Sequence, residues 1–156
     1  MVRLISATIQ TTEPDLLPPV VLCTAQPTAL WPPNHKMKEV AFTIDASDAC
    51  DAPQDLIMKS ISVSSSELDN ALSGGDGNTT GDVNGYDGYF SPVDLTNLFT
   101  FDPDSQTFKG TISLRAERDG DGPGRDYTIR ARIADQAGNI GETICTVLVS
   151  HDRSRK

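Results

Sequence analysis

Two segments in the second half of the chain alternate apolar and polar residues with a period of two. Residues 108–116 place Phe, Gly, Ile, Leu and Ala on one side, and residues 127–133 do the same with Tyr, Ile, Ala and Ile. Successive side chains of a strand point to opposite faces, so this alternation predicts strands with one buried and one solvated face, as in antiparallel sheets. Similar alternation at 40–46 and 57–64, and an apolar segment at 144–149, predict three more strands.

Turn-forming residues separate these segments, and no long segment has helical periodicity. Pro-Pro-Asn at 32–34 and Asp/Gly-rich residues at 119–124 are the clearest turns. Short strands joined in this way predict an all-β fold, an immunoglobulin-like antiparallel β-sandwich with a long acidic loop insertion. We place this domain at residues 19–150, with a linker or N-terminal extension at 1–18 and a C-terminal tail at 151–156. The Pro-rich linker composition predicts a module cut from a larger protein.

The long acidic loop spans about residues 66–92, and a loop of that length in a compact domain is usually functional or disordered. Between Lys59 and Lys109 the chain has no Lys, Arg or His, whereas it has eight carboxylates, which are Glu67, Asp69, Asp76, Asp82, Asp87, Asp94, Asp102 and Asp104. These negative charges repel one another if the loop is compact. A bound divalent ion is the simplest remedy, and ligands that are all oxygen favour calcium.

The spacing within this loop resembles that of a twelve-residue calcium loop. Oxygen-bearing side chains fall at suitable positions, and Gly81 stands where such a loop turns sharply. The pattern departs from an EF-hand because it ends in Asp rather than Glu and has no clear flanking helices. The predicted calcium ligands are Asp76, Asn78, Thr80, Asp82, Asn84 and Asp87. The alternative is a solvated acidic loop without an ion.

A second group of acids lies at predicted strand ends. Asp45, Asp48 and Asp51 occur close together, and Asp135 precedes Gly138-Asn139. Opposite strand ends can converge on one pole of a sandwich, which makes a second ion site possible. The alternative is that each side chain caps its own turn.

Three cysteines and the net charge limit the other possibilities. No two cysteines have zinc-ligand spacing, and a Cys23–Cys145 disulfide is predicted because first and last strands often neighbour each other; Cys50 is then left over. Three free thiols are the alternative. A formal charge of −9 argues against nucleic acid and anionic membrane surfaces as partners. No segment has the roughly 20 apolar residues needed for membrane insertion.

Three segments, at 30–37 (LWPPNHKM), 114–118 (LRAER) and 134–139 (ADQAGN), together resemble a bacterial extracellular immunoglobulin-like module of the HYR type, similar also to cadherin-like domains. The resemblance covers roughly residues 20–150. It implies a secreted or surface-displayed β-sandwich, often beside catalytic or adhesive domains. It carries no known catalytic site.

The sequence therefore predicts a calcium-binding accessory module that acts as a spacer, in adhesion or in carbohydrate binding, with glycans or a cell-surface protein as partners. Trp31, with Asn34 and His35, could contact a sugar ring; packing of Trp31 between prolines is the alternative. A different hypothesis is a small glycoside hydrolase that uses paired carboxylates. The catalytic candidates are then Glu67, Asp69 and Glu117.

Overall fold

The computed structural model describes residues 13–70 and 78–150. Within them lie eight β-strands and two short 3-10 turns, Pro53–Asp55 and Thr96–Leu98. The strands are β1 (Val20–Gln26), β2 (Met37–Ser47), β3 (Ile57–Ser65), β4 (Val93–Asp94), β5 (Phe99–Asp102), β6 (Thr107–Arg115), β7 (Gly124–Ala134) and β8 (Ile140–Ser150). Neither turn is long or apolar enough to cross a membrane, and the described residues contain no longer helix.

The strands form two four-stranded antiparallel sheets that pack face to face. One sheet has the order β1-β2-β6-β5 and the other β4-β3-β7-β8. In immunoglobulin notation these are A-B-E-D and C′-C-F-G. The predicted immunoglobulin-like antiparallel sandwich is confirmed.

The core follows the alternation of the sequence. Every second residue of the long strands is buried between the sheets, including Val40, Phe42, Ile44, Ile112, Leu114, Ile129, Ala131 and Ile133, each at most 1% exposed. The intervening residues of β7 face solvent, where Arg130 and Arg132 both lie beside Glu142 of β8. These pairs are half exposed, so they contribute little to stability.

A disulfide between Cys23 and Cys145 joins β1 to β8, the edge strands of the two sheets. This confirms the predicted pairing and leaves Cys50 free and exposed. The cysteines are 122 residues apart. Closing so long a loop stabilises a native domain by roughly 5 kcal/mol in the chain-entropy model.

The connection between β3 and β4, residues 66–92, is the predicted acidic loop. The segment after it forms β4 and then the 3-10 turn Thr96–Leu98. The sequence did not predict β5. Four residues at a sheet edge are too few to show an alternating pattern.

The ends of the strands define two poles. The end of β3 and the start of β7 lie at the pole of the acidic loop, which we call the loop pole. The start of β3 and the end of β7 lie at the other, which we call the entry pole because the chain reaches β1 there. Strands of this length separate the poles by roughly 25–30 Å at about 3.3 Å per residue.

Candidate functional site

At the loop pole, a buried ion-pair cluster neutralises part of the acidic loop. Asp82 is 0% exposed, and its carboxylate lies between two guanidinium groups. Arg115 Nε is 2.9 Å from Asp82 Oδ1, and Arg125 Nη1 contacts Oδ2. Arg115 ends β6, and Arg125, itself 0% exposed, is the second residue of β7. Strands outside the loop therefore supply some of the positive charge that the sequence argument assigned to an ion.

Other bonds hold the loop backbone against this cluster. The carboxylate of Asp69 accepts hydrogen bonds from the backbone N–H groups of Gly81 and Asp82, each at 2.9 Å. Arg115 Nη2 donates to the carbonyl of Thr80 at 2.6 Å, while Arg125 Nη2 donates to a carbonyl on the other arm of the loop at 2.9 Å. These bonds hold the two described arms of the loop against the cluster.

Among the remaining predicted calcium ligands, three bond to neighbouring protein groups. Asn78 Oδ1 accepts a hydrogen bond from an asparagine amide at 3.0 Å. Asn84 Oδ1 faces a backbone N–H of β6 at 3.4 Å, and Asp87 Oδ1 accepts a backbone N–H two residues later at 2.8 Å. Thr80 is exposed, and Asp76 lies outside the described residues. The loop site therefore stays a prediction.

The three catalytic candidates also lie at the loop pole, but each bonds to other protein groups. Glu67 Oε2 accepts the backbone N–H of Asp119 at 2.6 Å. Asp69 accepts the backbone N–H groups of Gly81 and Asp82. Glu117 is 0% exposed, with its Oε2 2.9 Å from His35 Nδ1. Burial closes Glu117 to a sugar, whereas Glu67 and Asp69 are half-buried, and the hydrolase hypothesis stays a prediction.

The candidate sugar-binding residues lie on the connection between β1 and β2. Trp31 is 43% exposed, so more than half of its surface is covered by the protein. Asn34 Oδ1 accepts the backbone N–H of Lys36 at 3.3 Å and so forms a turn. His35 adopts a left-handed φ of 61° and is oriented by its contact with Glu117. The structure holds His35 in place, and sugar binding stays a prediction.

At the entry pole, three carboxylates come together. One oxygen from each of Asp15, Asp51 and Asp135 lies within 4.8 Å of the other two. Asp135 is only 2% exposed, and Asp15 Oδ2 is a buried atom with no hydrogen-bond partner. The sequence pointed to Asp51 and Asp135 as possible neighbours. It did not predict Asp15, because that residue lies in the segment assigned to a linker. Asp45, which the sequence grouped with Asp51, does not belong to the cluster of Asp15, Asp51 and Asp135.

The turn between β7 and β8 positions this cluster. Asn139 donates its backbone N–H to Asp135 Oδ1 at 2.7 Å and its side-chain amide to Oδ2 at 2.8 Å. The same amide donates to the carbonyl of Asp15 at 3.2 Å, which ties the entering chain to the turn. Burial raises the pKa of Asp135, but the bonds from Asn139 and from Gly138 outweigh it, so the pKa is lowered. Asp135 is therefore held as a carboxylate.

The entry pole has a negative potential. The carboxylate of Asp15 is the main reason that the pKa of the Cys50 thiol is raised, followed by desolvation, Asp48 and Asp51. Among the described residues, none of the clustered carboxylates forms an ion pair with Lys, Arg or His. Asp48 Oδ1 instead accepts the backbone N–H groups of Cys50 and Asp51 at 2.8 and 3.1 Å. Unlike the loop pole, this site has no protein cation of its own in the described structure.

Comparison of the chain with protein-family models, with curated proteins and with solved structures finds no match. The resemblance to extracellular immunoglobulin-like modules therefore stays a prediction.

Proposed function

We propose that this domain is a calcium-stabilised, extracellular-type accessory module and that the ion binds at the entry pole. The observation that carries the proposal is the convergence of Asp15, Asp51 and Asp135 without an ion-pairing partner in the described chain. The calcium expectation from the sequence is thus kept, but its best-supported location moves from the acidic loop to the opposite pole.

The chemistry of the cluster suits calcium. Calcium takes oxygen ligands at about 2.3–2.6 Å, so two ligands of one ion lie at most about 5 Å apart. The three carboxylate oxygens lie within 4.8 Å of one another, which is compatible with that geometry. The buried Oδ2 of Asp15 would gain the partner that it lacks. Waters and backbone carbonyls would complete the coordination.

An ion at this position would stiffen the domain where the chain enters it. Asp15 precedes β1, Asp51 lies between β2 and β3, and Asp135 follows β7. Joining these three segments gives a rigid junction, which is the property that a spacer or adhesion module needs. Secretion or surface display is supported by the Cys23–Cys145 disulfide, because disulfides persist in oxidising compartments.

The test is a pair of matched Asp→Asn variants in thermal unfolding with calcium or a chelator. Calcium at a hundredfold excess over its dissociation constant stabilises a domain by about 2.7 kcal/mol, or roughly 5–10 °C in Tm for this size. Asp15→Asn should abolish that response, although it keeps the Oδ1 that accepts the backbone N–H of Leu17. Without calcium it should be at least as stable as the wild type, because one repelling charge is gone. Asp76→Asn should keep the full response.

The opposite pattern, with the response lost in Asp76→Asn and kept in Asp15→Asn, would place the ion in the acidic loop. A wild-type Tm that changes neither with calcium nor with a chelator would contradict the calcium proposal altogether. Hydrolysis of chromogenic glycosides by the wild-type domain would contradict the accessory role.

A further inference from the structure

Three aromatic side chains stand exposed on one short segment of the acidic loop, residues 83–90, which we call the aromatic loop. Tyr86, Tyr89 and Phe90 are 62%, 44% and 79% exposed. The domain has few aromatic residues, which make up 6% of the chain, so three exposed rings within five positions are a concentration. They lie at the loop pole, away from the proposed calcium site.

The backbone beneath these rings is fixed. Val83 and Tyr86 exchange two backbone hydrogen bonds, of 2.9 and 2.8 Å, across Asn84 and Gly85. Both central residues have positive φ, 51° and 89°, which makes this a type I′ hairpin of the Asn-Gly kind. Val83 is 0% exposed and anchors the hairpin in the core. The carbonyl of Gly88 then accepts a backbone N–H of β3 at 2.9 Å.

The rings themselves are also oriented. Asp87 Oδ1 accepts the backbone N–H of Tyr89 at 2.8 Å, and the rings of Tyr89 and Phe90 meet edge to face at 5.1 Å and 84°. The aromatic loop thus presents rings that are held in place without being buried. Such preorganised surface lowers the entropy cost of binding, and apolar patches exposed on a domain often mark an interaction site.

The charge around the rings indicates which partner they suit. Asp87 lies between Tyr86 and Tyr89 in the sequence, whereas the arginines that reach this pole, Arg115 and Arg125, are bound to Asp82. In the described chain, the cation–π contact is that of Arg125 over Tyr127 in the interior, not over an exposed ring. The ring faces and the nearby carboxylate are therefore both suited to a cation from outside.

We propose that the aromatic loop binds a Lys/Arg-rich segment of a partner polypeptide. Ammonium or guanidinium groups would lie over Tyr86, Tyr89 and Phe90 while Asp87 pairs with one of them. The net charge of −9 would steer such a segment towards the domain. A neutral glycan would make no use of this charge.

The test is fluorescence anisotropy with a labelled short peptide of alternating Lys and Gly, titrated with the full chain. Binding should weaken steeply as salt is raised, because exposed charges are screened. Phe90→Ala should weaken it by about two- to five-fold, which is the effect of losing one exposed cation–π contact. Asp87→Asn keeps the oxygen that holds Tyr89 and should have an effect of similar size.

Two matched controls separate this site from general acidity. Ile144→Ala removes an apolar side chain that is 49% exposed on the outer face of β8, and Asp55→Asn removes an exposed carboxylate at the entry pole. Both should leave peptide affinity unchanged. Losses equal to those of Phe90→Ala and Asp87→Asn would overturn the proposal. So would binding of a neutral hexasaccharide or of phosphatidylcholine vesicles in place of the peptide. Addition of a chelator leaves the expected result intact, so a failed calcium site does not affect this test.

Discussion

The substitution Arg125→Met removes the cation at the centre of the loop pole. Arg125 is 0% exposed and contacts Asp82 and, at 3.4 Å, Glu67. It also donates to the carbonyl of Leu68 at 2.9 Å. Met has a similar length and no charge, so the packing volume is approximately kept while the ion pair is lost. Asp82 would keep Arg115 as its remaining arginine partner.

The expected cost follows from the burial of the pair. Removing one partner of a buried ion pair costs about 3–5 kcal/mol, and here Arg115 alone is left to offset Asp82 while Glu67 loses its arginine contact. A domain has about 5–15 kcal/mol in total, so the variant should fold but be weakly stable. In urea, with a denaturant slope of about 2 kcal/mol/M, the unfolding midpoint should fall by roughly 1.5–2.5 M.

Arg132→Met is the matched control, since it is the same substitution on the same strand. Arg132 is 46% exposed and lies 3.6 Å from Glu142, so its loss should cost at most about 1 kcal/mol. The double variant Asp82→Asn/Arg125→Met should cost less than the sum of its single substitutions, because neither charge is then buried alone. Circular dichroism in urea measures the wild type, the three single variants and the double variant. Equal midpoint shifts for Arg125→Met and Arg132→Met would refute the reasoning, and recovery of Arg125→Met by calcium would show that an ion can replace the guanidinium.

Three smaller predictions test other parts of the structure. Tyr127→Phe should lower the free energy of unfolding by about 1–2 kcal/mol, since the buried hydroxyl donates to the carbonyl of Arg115 at 2.9 Å; an unchanged urea midpoint would contradict this. Gly141→Ala should lower Tm and expose residues 13–19 to proteases, because a Cβ there would collide with the carbonyl oxygen of Pro19. Asp102 has a pKa lowered to about 2, chiefly by the hydrogen bond from the ammonium group of Lys109. Its folded pKa is below the unfolded one, so the stability that it contributes is present above about pH 4 and lost as the pH falls towards 2. Asp102→Asn should therefore flatten that part of the stability–pH curve.

The sequence predicted the strands whose two faces differ most. In β6 and β7 one face is buried against the opposite sheet and the other is in water, and the alternation records that difference directly. It did not predict β5, whose four residues lie at an edge and whose pattern is too short to show a period. The ends of the acidic loop were predicted correctly because Gly, Asp and Asn interrupt the apolar alternation there.

The electrostatics could not be predicted in the same way, because charges are counted along the chain but neutralised in space. The acidic loop contains no cation, yet Arg115 and Arg125 reach Asp82 because the end of β6 and the start of β7 meet at that pole. The entry pole has fewer carboxylates, but they come from three distant segments, and Asp15 lies in a stretch with linker composition. The fold already neutralises part of the run of acids, whereas no Lys, Arg or His of the described residues pairs with the scattered group. The smaller cluster is for that reason the stronger candidate for a metal ion.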